Sequence, residues 1–197
     1  IPTHQFADFA VTPLLHDNIV SKGFTTPSPI QDQAIPEALK GHDIIGIANT
    51  GTGKTLAFAV PLLDKLIANP GSSALVMAPT RELAQQILDE CKMLAKGSGL
   101  FGTLLIGGAP MGPQLKDLSH KPSVVIGTPG RIKDHMERGS LNLSKFDVVV
   151  LDEVDRMLDM GFVNDMRTIL AELAVVRQSF FFSATMDPKV RALINDF

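Results

Sequence analysis

Asp43-Ile44-Ile45-Gly46-Ile47 runs directly into Ala48-Asn49-Thr50-Gly51-Thr52-Gly53-Lys54-Thr55, and Leu56-Ala57-Phe58-Ala59-Val60 follows. The first five residues read as a short buried strand, and the last five open a helix-compatible apolar run. A strand, a glycine-rich turn and a helix N-terminus together form a phosphate cradle. The turn aims successive backbone N–H groups inward, and the helix dipole adds positive potential. Lys54 is placed to reach β- and γ-phosphates, and the Thr55 hydroxyl to ligate Mg²⁺. The stretch departs from G-x-x-x-x-G-K-[ST] only at Ala48, which replaces the first glycine. One methyl group is compatible with the turn if Ala48 has a negative φ.

Outward from this stretch, short apolar runs alternate with helical patterns. The runs are Asp43–Ile47, Ala74–Ala78, Thr103–Ile106, Ser123–Ile126, Asp147–Leu151 and Ser179–Phe182. Most are continuous rather than alternating in polarity, as strands covered on both faces are. Helices are expected over Lys54–Ala68, Arg81–Lys96, a short stretch after Met111, Ile132–Arg138 and Asp159–Ala174. Thr12-Pro13, Ser28-Pro29 and Asp187-Pro188 mark three further helix starts. The order predicts an α/β fold with a doubly wound, mostly parallel sheet flanked by helices, with ligands at the carboxyl ends of the strands.

The chain has 197 residues, 45% hydrophobic and 20% charged, which suits one globular domain spanning residues 1–197. No apolar run has the length needed to cross a bilayer, so no membrane partner is expected. Cys91 is the single cysteine and shares a helical stripe with Leu83, Ile87 and Leu94, which predicts a buried structural thiol in a reducing compartment. A cytoplasmic location is the expectation. A net charge of −3 excludes a global electrostatic footprint for nucleic acid, so any such binding is local. The five histidines show no metal-ligand spacing.

A second chemical element is Val148-Val149-Val150-Leu151-Asp152-Glu153-Val154-Asp155. A buried strand ending in two carboxylates sets both level with the phosphate loop. Asp152 is then the candidate Mg²⁺ ligand, and Glu153 the group that orients and deprotonates an attacking water.

With these residues in view, the chain resembles the first RecA-like domain of a DEAD-box RNA helicase over nearly all its length. Residues 23–31, Gly23-Phe24-Thr25-Thr26-Pro27-Ser28-Pro29-Ile30-Gln31, are similar to the adenine-reading Q motif, with Phe6 at the place of its upstream aromatic. Pro79-Thr80-Arg81-Glu82-Leu83 resembles motif Ia, Gly107-Gly108 the glycine doublet, Thr128-Pro129-Gly130-Arg131 motif Ib, and Ser183-Ala184-Thr185 motif III. The name-giving tetrapeptide carries Val154 where the family has Ala, and the added methyls must pack beneath the loop.

The resemblance implies ATP and Mg²⁺ as cofactors. Gln31, Thr26 and the phosphate loop would bind nucleotide, with Phe6 or Phe24 covering the adenine ring. Motifs Ia and Ib and the glycine doublet would grip an RNA backbone without reading bases. Thr80 and Thr128 also suit helix caps, which is compatible with that contact. Asp155, Ser183, Ala184 and Thr185 would couple the two sites, and Arg156 would pair with Asp155 or Asp159. The implied activity is ATP-driven unwinding of RNA together with a second RecA-like domain, absent from this chain. The isolated chain is expected to be monomeric and nearly inactive. A non-catalytic RNA clamp is the rival reading, and intact Lys54 and Glu153 argue against it.

Overall fold

A computed structural model describes residues 2–197. Among these, six parallel strands form one sheet: β1 (Ile44–Ile47), β2 (Ala74–Met77), β3 (Gly102–Leu105), β4 (Val124–Gly127), β5 (Val148–Leu151) and β6 (Gln178–Ser183). Their spatial order is β1-β6-β5-β2-β4-β3. The helices are α1 (Pro13–Ser21), α2 (Pro29–Leu39), α3 (Lys54–Ala68), α4 (Arg81–Leu94), α5 (Met111–Ser119), α6 (Pro129–Arg138), α7 (Val154–Asp159), α8 (Val163–Ala171) and α9 (Pro188–Asp196).

The central strands β2, β4, β5 and β6 are buried along their whole length, which is why β2, β4 and β5 read as unbroken apolar runs and β6 carries three successive phenylalanines. Successive side chains still part to opposite faces. Val76, Val150, Phe180 and Phe182 enter a core closed by α1 to α4. Leu75, Met77, Val149, Leu151 and Phe181 enter a second core beneath α6 to α9. At the β1 edge the cover is one-sided, and Ile45 and Ile47 are more than half exposed.

Local chemistry sets the helix starts. Thr80 Oγ1 accepts from the Leu83 N–H at α4, and Asp187 does the same for Val190 at α9. Ser28 and Gln31 form a reciprocal capping box at α2, with Pro29 at its first position.

Two expectations change. The helix expected over Asp159–Ala174 is α8 and spans only Val163–Ala171: Asp159 is the last residue of α7, and Gly161, at φ 88°, separates the two. The helix expected from Ile132 begins at Pro129, so Gly130 and Arg131 lie in its first turn. Short 3-10 turns at Phe6–Asp8 and Leu143–Lys145 complete the described elements. Cys91 is buried, and burial pushes its thiol up to about 12, as a structural thiol requires. Among the described residues no helix is long and apolar enough to cross a membrane.

Candidate functional site

The strand order sorts the chemistry. β1, β6 and β5 are neighbours, so their carboxyl ends bring together the phosphate loop, Ser183-Ala184-Thr185 and Asp152–Asp155. The Ala48 N–H donates to the Ser183 carbonyl at 3.0 Å, tying the start of the loop to the end of β6. Ala48 is not among the positive-φ residues, so its methyl is accommodated, while Gly51 and Gly53 take φ of 89° and 77°. Thr52 Oγ1 donates to the Asn49 carbonyl at 2.7 Å and closes the turn around Thr50.

Lys54 Nζ lies 3.0 Å from Asp152 Oδ1 and 3.1 Å from Glu153 Oε2. These are charge contacts whose angles fall short of hydrogen bonds. Lys54 Nζ and both Asp152 oxygens are buried with no hydrogen-bond partner among the described residues. Burial pushes the Asp152 carboxyl above the usual carboxylate range, with the Lys54 ammonium pulling the other way. A fully buried, under-coordinated carboxylate beside a hydroxyl-bearing helix start suits a hard cation, so the donor set of Asp152 and Thr55 fits Mg²⁺. Adjacent Glu153 has φ 54° and ψ 55°, a left-handed conformation costing a non-glycine residue roughly 1–3 kcal/mol. That conformation turns its carboxylate back over the Lys54 ammonium.

Glu153 Oε1 also lies 3.5 Å from the Arg156 guanidinium, so the side-chain partner of Arg156 is Glu153, while Asp155 Oδ1 accepts the Arg156 backbone N–H at 3.0 Å. Asp155 faces the other way. Its N–H donates to Ser183 Oγ at 3.2 Å, and Thr185 Oγ1 donates to its Oδ2 at 3.4 Å, while Ala184 is exposed. Val154 is fully buried, so its extra methyls are taken up within the second core.

A cavity of about 350 Å³ opens beside the loop, walled by Phe24, Gln31, Thr50, Gly53, Lys54 and Thr55 on one side. A larger cavity of about 420 Å³ lies at the opposite, amino end of the strands, where none of the motif residues reach it. Buried Gln31 accepts from the Ser28 N–H at 2.8 Å and donates from Nε2 to the Gly53 carbonyl at 2.8 Å. Each end of its amide keeps one hydrogen-bond valence for a ligand.

Of the two candidate aromatics, Phe24 lines the cavity. Phe6 is 2% exposed, with its ring 5.8 Å from Phe24 and edge-on to Phe9 at 5.6 Å. Core packing has claimed Phe6, which therefore supports Phe24 from behind. The Phe6 N–H also donates to the Thr25 carbonyl. Thr26 lies outside the cavity lining, its hydroxyl 3.3 Å from Gln5 Oε1.

The lining also includes α4, through Leu83, the last residue of the motif Ia stretch, and through Gln86 and Glu90, which no motif marks. Their helical spacing was the available signal. Glu90 Oε2 is buried without a hydrogen-bond partner, and burial raises its carboxyl.

The other half of the sheet, β2, β4 and β3, presents the remaining motifs at its carboxyl ends. Pro79 precedes α4, and Arg81 reaches across to the Gly107 carbonyl at 3.5 Å. Gly108 takes φ 82°, and a Cβ there would meet the Arg81 guanidinium at 2.8 Å. Thr80 spends its hydroxyl on capping, whereas the Thr128 hydroxyl makes no cap bond. The first-turn N–H groups of Gly130 and Arg131 have no intrahelical acceptor, as at any helix start, and Pro129 has none to offer. The Arg131 side chain turns inward, donating to the Ala109 carbonyl and to Gln114 Oε1, both at 3.2 Å.

Residues 28–193 match the DEAD/DEAH box helicase family. The chain is 43% identical over 202 aligned residues to the ATP-dependent RNA helicase DBP2 of Gibberella zeae, covering all of this chain and 36% of that protein. Among solved structures it resembles a DEAD box protein from the hyperthermophile Methanococcus jannaschii, with a TM-score of 0.92 and 38% identity over 98% of this chain and 53% of the other. A hypothetical ATP-dependent RNA helicase from Sulfolobus tokodaii is similar with a TM-score of 0.87 and 33% identity, over 93% of this chain and 54% of the other. The chain thus spans about a third of the curated relative and about half of each solved one.

Proposed function

The chain belongs to the DEAD/DEAH box helicase family, and from that membership we propose that it is the nucleotide-binding half of an ATP-dependent RNA helicase. The single observation that carries the reading is Lys54 held between Asp152 and Glu153 beneath the phosphate loop. In this reading the triphosphate draws Lys54 out of that pair toward its β- and γ-phosphates. Asp152 and Thr55 would hold Mg²⁺, which would supply neutralising charge for the phosphates. Glu153, released from the ammonium, orients a water and takes its proton. Gln31 reads the adenine edge with its remaining valences, and Phe24 covers the ring. Asp155, bonded to Ser183 and Thr185, passes the state of the nucleotide to the rest of the sheet.

The loops after β2, β3 and β4 grip a single RNA strand through backbone N–H groups and the Thr128 hydroxyl. A second RecA-like domain closes over both ligands and supplies phosphate-facing arginines.

The test is Glu153→Gln in the full-length protein. The carboxamide keeps the shape but cannot accept the proton. ATP affinity is expected to stay within a few-fold, and RNA-stimulated phosphate release to fall by about 10²-fold or more. Turnover near the wild-type rate would remove Glu153 from the base role.

A further inference from the structure

Gln114, on α5, belongs to none of the motifs, yet it is 5% exposed and every polar atom of its side chain is engaged. Its Nε2 donates to the Ile106 carbonyl at 3.0 Å. Its Oε1 receives Arg131 at 3.2 Å and His135 Nε2 at 2.8 Å. These partners fix the amide orientation, since two donors meet one end and a carbonyl meets the other.

His135 is fully buried, so its ring is committed as well. An amide oxygen only accepts, so Nε2 carries the hydrogen. Nδ1 faces Ser140 Oγ at 2.8 Å, and that hydroxyl lies 3.0 Å from the His135 carbonyl. Burial pushes the imidazole below its usual range, Arg131 and Arg138 push the same way, and Asp134 opposes them. The ring therefore donates to Gln114 from Nε2.

The partners of this network have one thing in common. Ile106 immediately precedes the glycine doublet and Ala109 immediately follows it. Gln114 holds the first shoulder, and Arg131, itself anchored on Gln114, holds the second. Arg131 and His135 both sit on α6, whose first turn offers the open N–H groups. One buried amide thus joins the Gly107-Gly108 loop to the N-terminus of α6.

We propose that Gln114, braced by His135, is a positioning residue for the polynucleotide. It sets the placement of the glycine-doublet loop relative to the α6 N-terminus, so that both meet the same sugar–phosphate strand. The inference rests on the RNA reading of those loops given above. It acts on RNA alone, because the network touches no residue of the nucleotide cavity.

The experiment is RNA-stimulated ATP hydrolysis by the full-length protein carrying Gln114→Met, which keeps the volume and removes the acceptor and the donor. The RNA concentration for half-maximal stimulation is expected to rise about tenfold. The KM for ATP and the rate at saturating RNA are expected to stay within about twofold. The double variant Gln114→Met with Arg131→Met should need no more RNA than Arg131→Met alone, since coupled residues are not additive. Ile169→Val, a core change on α8, should leave the RNA requirement unmoved. An unchanged requirement in Gln114→Met, additive effects in the double variant, or an equal shift with Ile169→Val each overturn the proposal. A wild-type protein indifferent to RNA overturns the functional reading, and this inference with it.

Discussion

Asp152 is a carboxylate placed where a carboxylate is costly. It is fully buried, and its oxygens meet only the Lys54 ammonium and no hydrogen-bond donor with good geometry. Its folded-state carboxyl lies above the unfolded value near 3.8, so its favourable contribution is present below that value and is lost as pH rises through the folded one. At neutral pH the group opposes folding, and Lys54 keeps Glu153 as a partner if it is removed. Asp152→Asn should therefore stabilise the nucleotide-free chain by about 1 kcal/mol, raising its melting temperature by roughly 2–4 °C. The same variant should lose the Mg²⁺-dependent part of nucleotide affinity. Thermal melts with and without Mg²⁺-nucleotide check both halves, and a lowered melting temperature would contradict the account of Asp152.

At the level of elements, the nucleotide cavity depends on how the N-terminal segment is pinned. Asp32, on α2, accepts from the Thr3 N–H at 3.1 Å and the His4 N–H at 3.0 Å. Those bonds, with the His4 side chain, hold its carboxyl below the usual range. The pinning is therefore present above the ordinary carboxylate value and lost as pH falls through the lowered one. The segment it holds carries Phe6, which backs Phe24, and the Phe6 N–H that fixes Thr25. Asp32→Ala should release the segment without unfolding the sheet. Amide exchange at His4 and Phe6 should rise, and adenine-nucleotide affinity should fall by about three- to tenfold, as expected when an ordered wall must be rebuilt on binding. Unchanged exchange at Phe6 would mean that core packing alone holds the segment.

For the whole molecule, the sheet keeps the two chemistries on separate halves. β1, β6 and β5 carry the phosphate loop, Asp152, Glu153 and the Ser183 segment, and β2, β4 and β3 carry the three loops proposed to contact an RNA backbone. The 197-residue chain holds the loop, the proposed metal ligands Asp152 and Thr55 and the proposed base Glu153, and the phosphate-facing arginines are proposed to come from the second domain. The loss of one such arginine costs roughly 10³–10⁵ in rate in related phosphoryl transfers. With a net charge of −3 there is no long-range attraction for RNA to compensate. The chain alone should bind adenine nucleotide weakly, hydrolyse ATP barely above background and show no stimulation by single-stranded RNA. An ATPase assay of the chain with and without RNA checks this, and strong RNA-stimulated turnover would refute the two-domain mechanism.

The residue order of this protein determines whatever depends on near neighbours. The strand–turn–helix around Ala48–Thr55, the unbroken apolar runs of β2, β4 and β5, and the caps at Thr80, Asp187 and Ser28 all follow from short-range sterics and hydrogen bonding. Gly161 was readable as a helix stop on the same grounds, and reading it so places the start of α8 after it. Tertiary structure decided what depends on distant segments. It set the strand order that separates the two halves, and the choice of Glu153 over Asp155 as side-chain partner for Arg156. It also drew Phe6 behind Phe24, brought the α4 wall of Leu83, Gln86 and Glu90 to the cavity, and spread one amide, Gln114, across two loops. These outcomes arise because burial and charge pairing are settled by which surfaces the assembled sheet presses together, and no window of neighbouring residues contains that information.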